Sequence, residues 1–87
     1  MSWKLVFSKQ AFKDAKKLKR AGLKDQVNRQ LEILKFDPYQ SHPPYEKLTG
    51  DLTGLYSRRI TIHHRLVYQV VEEEKTIKIL RMWTHYQ

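Results

Sequence analysis

The chain has 87 residues, enough for one domain and one modest core. Hydrophobic residues make up 40% and aromatics 11%, which excludes a disordered chain, and the lack of cysteine excludes a disulfide framework or a thiolate metal site. Seventeen Lys and Arg against nine Asp and Glu leave a net charge of +8, which favours a polyanionic partner such as nucleic acid without separating DNA, RNA and an acidic protein. No run approaches the roughly 18 apolar residues of a membrane span. The opening MSWKLVFSKQ is too short in apolar residues for a signal peptide, so a cytoplasmic protein without a membrane partner is expected.

Trp3–Phe7 reads as a short strand. Ser8 is placed to cap a helix from Lys9 to Ala21, because its hydroxyl accepts a bond from a free first-turn amide. Phe12, Ala15 and Leu18 recur at threes and give that helix an apolar stripe. Gly22 stands where a left-handed C-terminal cap belongs. A second helix is predicted from Lys24 to Phe36, with Val27, Leu31 and Leu34 on one face. Asp37-Pro38 stops it, since proline disfavours helical geometry in the residue before it. The short link at Gly22 makes the two helices an antiparallel hairpin.

Pro38–Tyr45 reads as a loop, and the pattern then turns to strand. Glu46–Leu48, Leu55–Ile62, Leu66–Glu72 and Ile77–His85 are the expected strands, with a turn at Glu73–Lys75. In the second of these, Tyr56, Ile60 and Ile62 are expected on one face. The order β-α-α-β-β-β-β predicts an α+β fold over residues 1–87. It consists of an antiparallel sheet with the helical hairpin on one face.

The stretch Arg58-Arg59-Ile60-Thr61-Ile62-His63-His64-Arg65 holds five residues that are cationic or can become so. It reads either as a solvated edge hairpin or as a phosphate-binding surface. Tyr56, Tyr68, Trp83 and Tyr86 flank it. Aromatics among cations suit RNA, whose bases stack on rings while cations hold phosphates; for Tyr68, core packing is the favoured reading. His85, near the chain end, and Glu46, after the proline loop, are unremarkable singly. Together with Arg65 they supply what metal-free RNA cleavage needs: a base for the 2′-OH, an acid for the departing 5′-oxygen and a cation for the charge on phosphorus. Metal binding competes for the histidines. However, His63 and His64 are adjacent and point to opposite faces of a strand, and His42 is remote. Neither a metal nor a cofactor is expected, and there is no P-loop, dinucleotide fingerprint or nucleophile elbow. The cationic face of the first helix, Lys13, Lys16, Lys17, Lys19 and Arg20, is either solvated or set against RNA.

Several segments form a pattern: Glu46-x-Leu48; Leu52-Thr53-Gly54-Leu55-Tyr56-Ser57-Arg58-Arg59-Ile60-Thr61; His64-Arg65-Leu66-Val67-Tyr68; and terminal His85-Tyr86. This pattern resembles the YoeB/Txe toxins of the RelE/ParE superfamily. It covers the C-terminal half in detail and the opening only in layout. The resemblance implies a RelE-like fold and a ribosome-dependent mRNA endoribonuclease, the toxin of a type II toxin–antitoxin pair that cuts mRNA in the ribosomal A site. It implies Glu46 as general base, Arg65 as transition-state cation, His85 as general acid, Arg59 on the phosphate and Tyr86 beside His85. It also implies a cognate antitoxin, and homodimers are common in the family. The family often carries Pro after the Glu and Lys two residues further on; here those positions hold Lys47 and Thr49, so Lys47 is the candidate RNA contact in place of that lysine. The alternatives are a non-catalytic ParE-like toxin acting on gyrase, against which the joint presence of Glu46, Arg65 and His85 argues, and a plain RNA- or ribosome-binding module.

Overall fold

The computed structural model describes residues 2–41 and 44–83. Its elements run β1 (Lys4–Phe7), α1 (Lys9–Arg20), α2 (Lys24–Phe36), β2 (Tyr45–Lys47), β3 (Tyr56–Arg59), β4 (Arg65–Val71) and β5 (Thr76–Arg81). The α+β class and the β-α-α-β-β-β-β order match expectation. His42, His85 and Tyr86 lie outside the described residues, as does the end of the predicted last strand.

Both ends of α1 follow from single residues. Ser8 is extended, and its Oγ accepts from the Ala11 amide at 3.0 Å. At the other end Gly22 takes φ 77°, and the amides of Gly22 and Leu23 reach back to the carbonyls of Lys19 and Leu18. This double closure needs a left-handed residue, which glycine adopts without steric cost. The α2 helix ends where Pro38 forces Asp37 into extended geometry, and the Asp37 carboxylate accepts from the Tyr39 amide to start the next turn.

The sheet order is β1-β5-β4-β3-β2. Strands β2 to β5 pair antiparallel through short connections, as expected. Strand β1 differs: it pairs with β5 in parallel, Lys4 opposite Thr76. The helical hairpin carries the chain away from β1, so no local turn dictates its direction. The central strand β4 buries Leu66, Val67 and Tyr68 completely. The helix-covered face holds the core, built on Leu18, Leu34, Leu66, Tyr68, Ile77 and Ile79.

Two expectations about faces are corrected. The fully buried stripe of α1 is Ala11, Asp14 and Leu18; of the expected stripe Leu18 is in the core and Ala15 packs against it, but Phe12 is exposed, its ring tilted beside Phe7 at 5.6 Å. A buried acid hides the true stripe from a search for apolar spacing. Strand β3 also stops at Arg59, and Ile62 sits at the tip of the following turn, 78% exposed. That turn is held by the His64 carbonyl, which accepts from the Ile60 and Thr61 amides, and by a 2.8 Å bond between Thr61 Oγ1 and His64 Nδ1. These bonds reverse the chain before Ile62 can join Ile60 on the core face.

Candidate functional site

Strand alternation sorts the cationic stretch. In β3, Tyr56 and Arg58 face the helix side, while Ser57 and Arg59 face the open side. Arg58 is therefore fully buried. Its Nη2 donates to the carbonyl oxygens of Pro38 (3.1 Å) and Gln40, and its guanidinium lies 5.2 Å from the Tyr45 ring. Tyr68 donates to the same Pro38 carbonyl at 3.1 Å, and burial is the main cause that pushes its phenol up to about 12. Tyr39, Tyr45 and Tyr56 pack around one another with ring centroids 5.7–6.4 Å apart, and Tyr56 stacks on Tyr68. Arg58, Tyr56 and Tyr68 thus fasten the loop after α2 to the sheet, and the core reading of Tyr68 holds.

On the open side the register places Glu46 opposite Ser57, and Arg59 opposite Arg65. These four side chains, with Pro44 and the turn residues Ile60–Ile62, line a concavity of about 470 Å³. Arg65 Nη1 donates to Glu46 Oε1 at 3.1 Å and contacts Ser57 Oγ at 3.4 Å. The Arg65 side chain is 21% exposed and the Glu46 side chain 62%, so the cation is set into the floor and the carboxylate stands at the rim. Two guanidiniums directly across a ladder repel. One carboxylate offsets one of them, and the concavity is left with one positive charge in excess.

The structure thus brings Glu46, Arg59 and Arg65 together in one concavity. Lys47 stands on the opposite face of β2, in register with Tyr56. Of the flanking aromatics, Trp83 lies against the His64 ring at 4.3 Å, with Lys17 Nζ 5.9 Å from its own ring. Ser57, buried in the floor, is the residue that reading by type missed; its parity with Arg59 along β3 was the available signal. Among the described residues no cluster of three or more potential metal ligands occurs, and no helix is long and apolar enough to cross a membrane.

Comparison with known proteins identifies the family and agrees with the fold. Residues 7–86 match the family described as YoeB-like toxin of bacterial type II toxin-antitoxin system. Toxin YoeB of Streptomyces coelicolor is 39% identical over 51 residues, covering 59% of this chain and 61% of that protein. A YoeB/ParE toxin from Agrobacterium tumefaciens superposes with a TM-score of 0.86 at 30% identity, over 95% of this chain and 99% of that one. YoeB of Staphylococcus aureus is 35% identical over 99% of this chain and 100% of its own, with a TM-score of 0.83 as a dimer and 0.80 in a heterotetrameric YoeB-YefM toxin-antitoxin complex. The chain belongs to the YoeB-like toxins of bacterial type II toxin–antitoxin systems.

Proposed function

We propose that this protein is a metal-independent endoribonuclease that cuts mRNA in the A site of the ribosome. The observation that carries the reading is the Glu46–Arg65–Arg59 concavity: one carboxylate at the rim, two guanidiniums facing one another, and one positive charge in excess. A phosphodiester supplies the missing anion and places its 2′-OH at the rim. Glu46 takes the 2′-OH proton as the oxygen attacks phosphorus. Arg65 and Arg59 hold the non-bridging oxygens as charge builds on them, and His85 protonates the departing 5′-oxygen. The products are a 2′,3′-cyclic phosphate and a 5′-hydroxyl.

The partners follow from the same reading: mRNA and ribosomal RNA as the polyanions, a cognate antitoxin that silences the site, and a second copy of the chain. The solved S. aureus relative, as a dimer and with its YefM partner, supports the last two. The test is to map cut ends on a defined mRNA with and without 70S ribosomes, for the wild type and for His85→Ala. The expected result is codon-phased cuts that require ribosomes and vanish in His85→Ala. Gyrase inhibition without RNA cleavage, or salt-dependent RNA binding without product, would replace this reading with a ParE-like toxin or a binding module.

A further inference from the structure

Ser57 lies in the floor of the concavity and takes no part in the proton transfers of cleavage. It is 1% exposed, on the open face of β3 between Glu46 on β2 and Val67 on β4. An apolar side chain would fill that place with no polar group to desolvate. What Ser57 adds is a hydroxyl under the guanidiniums. Among the described residues its side-chain hydrogen bond is to Arg65, whose Nη1 donates to Ser57 Oγ at 3.4 Å and to Glu46 Oε1 at 3.1 Å. Nη1 carries two hydrogens, one for each acceptor. Arg65 stands diagonally from Ser57 across the β3–β4 ladder, a spacing that a long side chain spans.

The two acceptors differ in what the reaction does to them. Glu46 stands on the edge strand, its side chain largely exposed. In the cleavage proposed above it takes the 2′-OH proton, so its carboxylate becomes a neutral acid. Its hold on Arg65 then falls from an ion pair to a bond between a cation and a neutral group, while negative charge builds on the phosphate oxygens. Arg59, opposite Arg65 in register, repels it throughout. Ser57 neither gains nor loses a proton, and its strand is paired on both sides. Of these two acceptors, Ser57 is the one whose hold on Arg65 does not fade as the bond breaks.

We propose that Ser57 is a positioning residue for the cleavage reaction: its buried hydroxyl fixes the Arg65 guanidinium in the floor of the concavity while Glu46 gives up its charge. The inference rests on the functional reading above. Ser57→Ala removes the acceptor and little else. In the full chain it should lower kcat on ribosome-bound mRNA about 5- to 10-fold, the worth of one hydrogen bond to a charged group, with KM within about twofold. In an Arg65→Ala background the same substitution should cost less than about twofold, because the group it acts through is gone. Guanidinium NMR reads the contact without substrate. In free Ser57→Ala the Arg65 Nη signals should coalesce at a lower temperature, since one restraint on rotation about Nε–Cζ is lost. Ser57→Cys, which keeps the shape with a poor acceptor, carries the same tests if Ser57→Ala does not fold. Full kcat in the variant, an equal loss in both backgrounds, or unchanged Arg65 rotation overturns the proposal. A wild type that cuts no mRNA overturns the functional reading instead, and the Nη signals then still report whether Ser57 holds Arg65.

Discussion

Arg58 and Arg59 are neighbours of one residue type on one strand, and they live in different worlds. Arg58 is sealed on the helix side between Tyr45 and two backbone carbonyls, while Arg59 stands in the open concavity across from Arg65. The pleat alone separates them. A run of cations that looks like one surface in the sequence is therefore two devices back to back. On one face the positive charge is bonded to the backbone carbonyls of Pro38 and Gln40. On the other it awaits an anion. The same division should appear in the consequences of substitution: open-face residues should move activity and spare stability, and covered-face residues the reverse.

The largest effect is expected at Arg65. Arg65→Ala should cut the rate of ribosome-dependent cleavage about 100- to 1,000-fold, the usual cost of removing one donor to a developing oxyanion. Its melting temperature should stay within a few degrees, because the ion pair it loses has an exposed partner in Glu46. Single-turnover rates and thermal melts of the same preparation check both halves. A collapse in stability that tracks the loss of rate would erase the distinction between the faces.

Arg58→Met should give the mirror image. Removing two charge-assisted bonds to backbone carbonyls should cost about 3 kcal/mol. In a domain of this size that lowers the melting temperature by roughly 15 °C. Cleavage per folded molecule should stay near wild type, since Arg58 does not line the concavity. Urea titration followed by rate measurement at a temperature where both proteins are folded separates the two quantities.

Much of this division is legible in the sequence. The bounds of α2 came directly from Asp37-Pro38 and the Gly22 turn, because both are local backbone constraints that tertiary packing rarely overrides. Residue type and motif mark Glu46, Arg59 and Arg65, and the register places them together. What escaped is what depends on partners distant in the chain. The fate of Arg58 is decided by carbonyls 18 and 20 residues away. The stripe of α1 is disguised because its middle member, Asp14, is an acid matched by Arg81 and Met82, more than 60 residues on. The parallel pairing of β1 has no turn to announce it. A buried polar side chain defeats a pattern built on hydrophobicity in α1, and a hydrogen-bonded turn defeats it at Ile62.

Arg59→Ala tests whether the concavity binds its anion through both guanidiniums. A loss of about 10- to 30-fold in kcat/KM is expected, smaller than at Arg65 because Arg65 is held by its ion pair with Glu46 and, among the described residues, no carboxylate pairs with Arg59. Losing one phosphate contact should also flatten the salt dependence of RNA binding by about 0.7 in the logarithmic slope. Stability should change by less than about 0.5 kcal/mol at this exposed position. An unchanged slope would mean that Arg59 touches no phosphate and that Arg65 alone carries the charge.

The smallest effect, and the sharpest use of the comparison, is at Lys47. It is adjacent to Glu46 in sequence and it is cationic. By residue type it belongs with the site. By parity it does not: it lies opposite Tyr56 on the helix-side face, at the exposed edge of β2, while Glu46 lies opposite Ser57 on the open face. A charge there still adds to the attraction of a polyanion from a distance, which salt screens within about 10 Å at 0.1 M. It cannot reach around the strand to the atoms that react. Lys47→Ala should therefore weaken RNA association modestly at low salt and lower the saturated cleavage rate by less than about threefold, in contrast to the loss at Arg59. Rates at saturating ribosome concentration in 50 and 200 mM salt decide the matter. A tenfold loss that persists at high salt would show that β2 turns over when the substrate arrives, and the face on which a residue stands in the free protein would no longer predict its part in the chemistry.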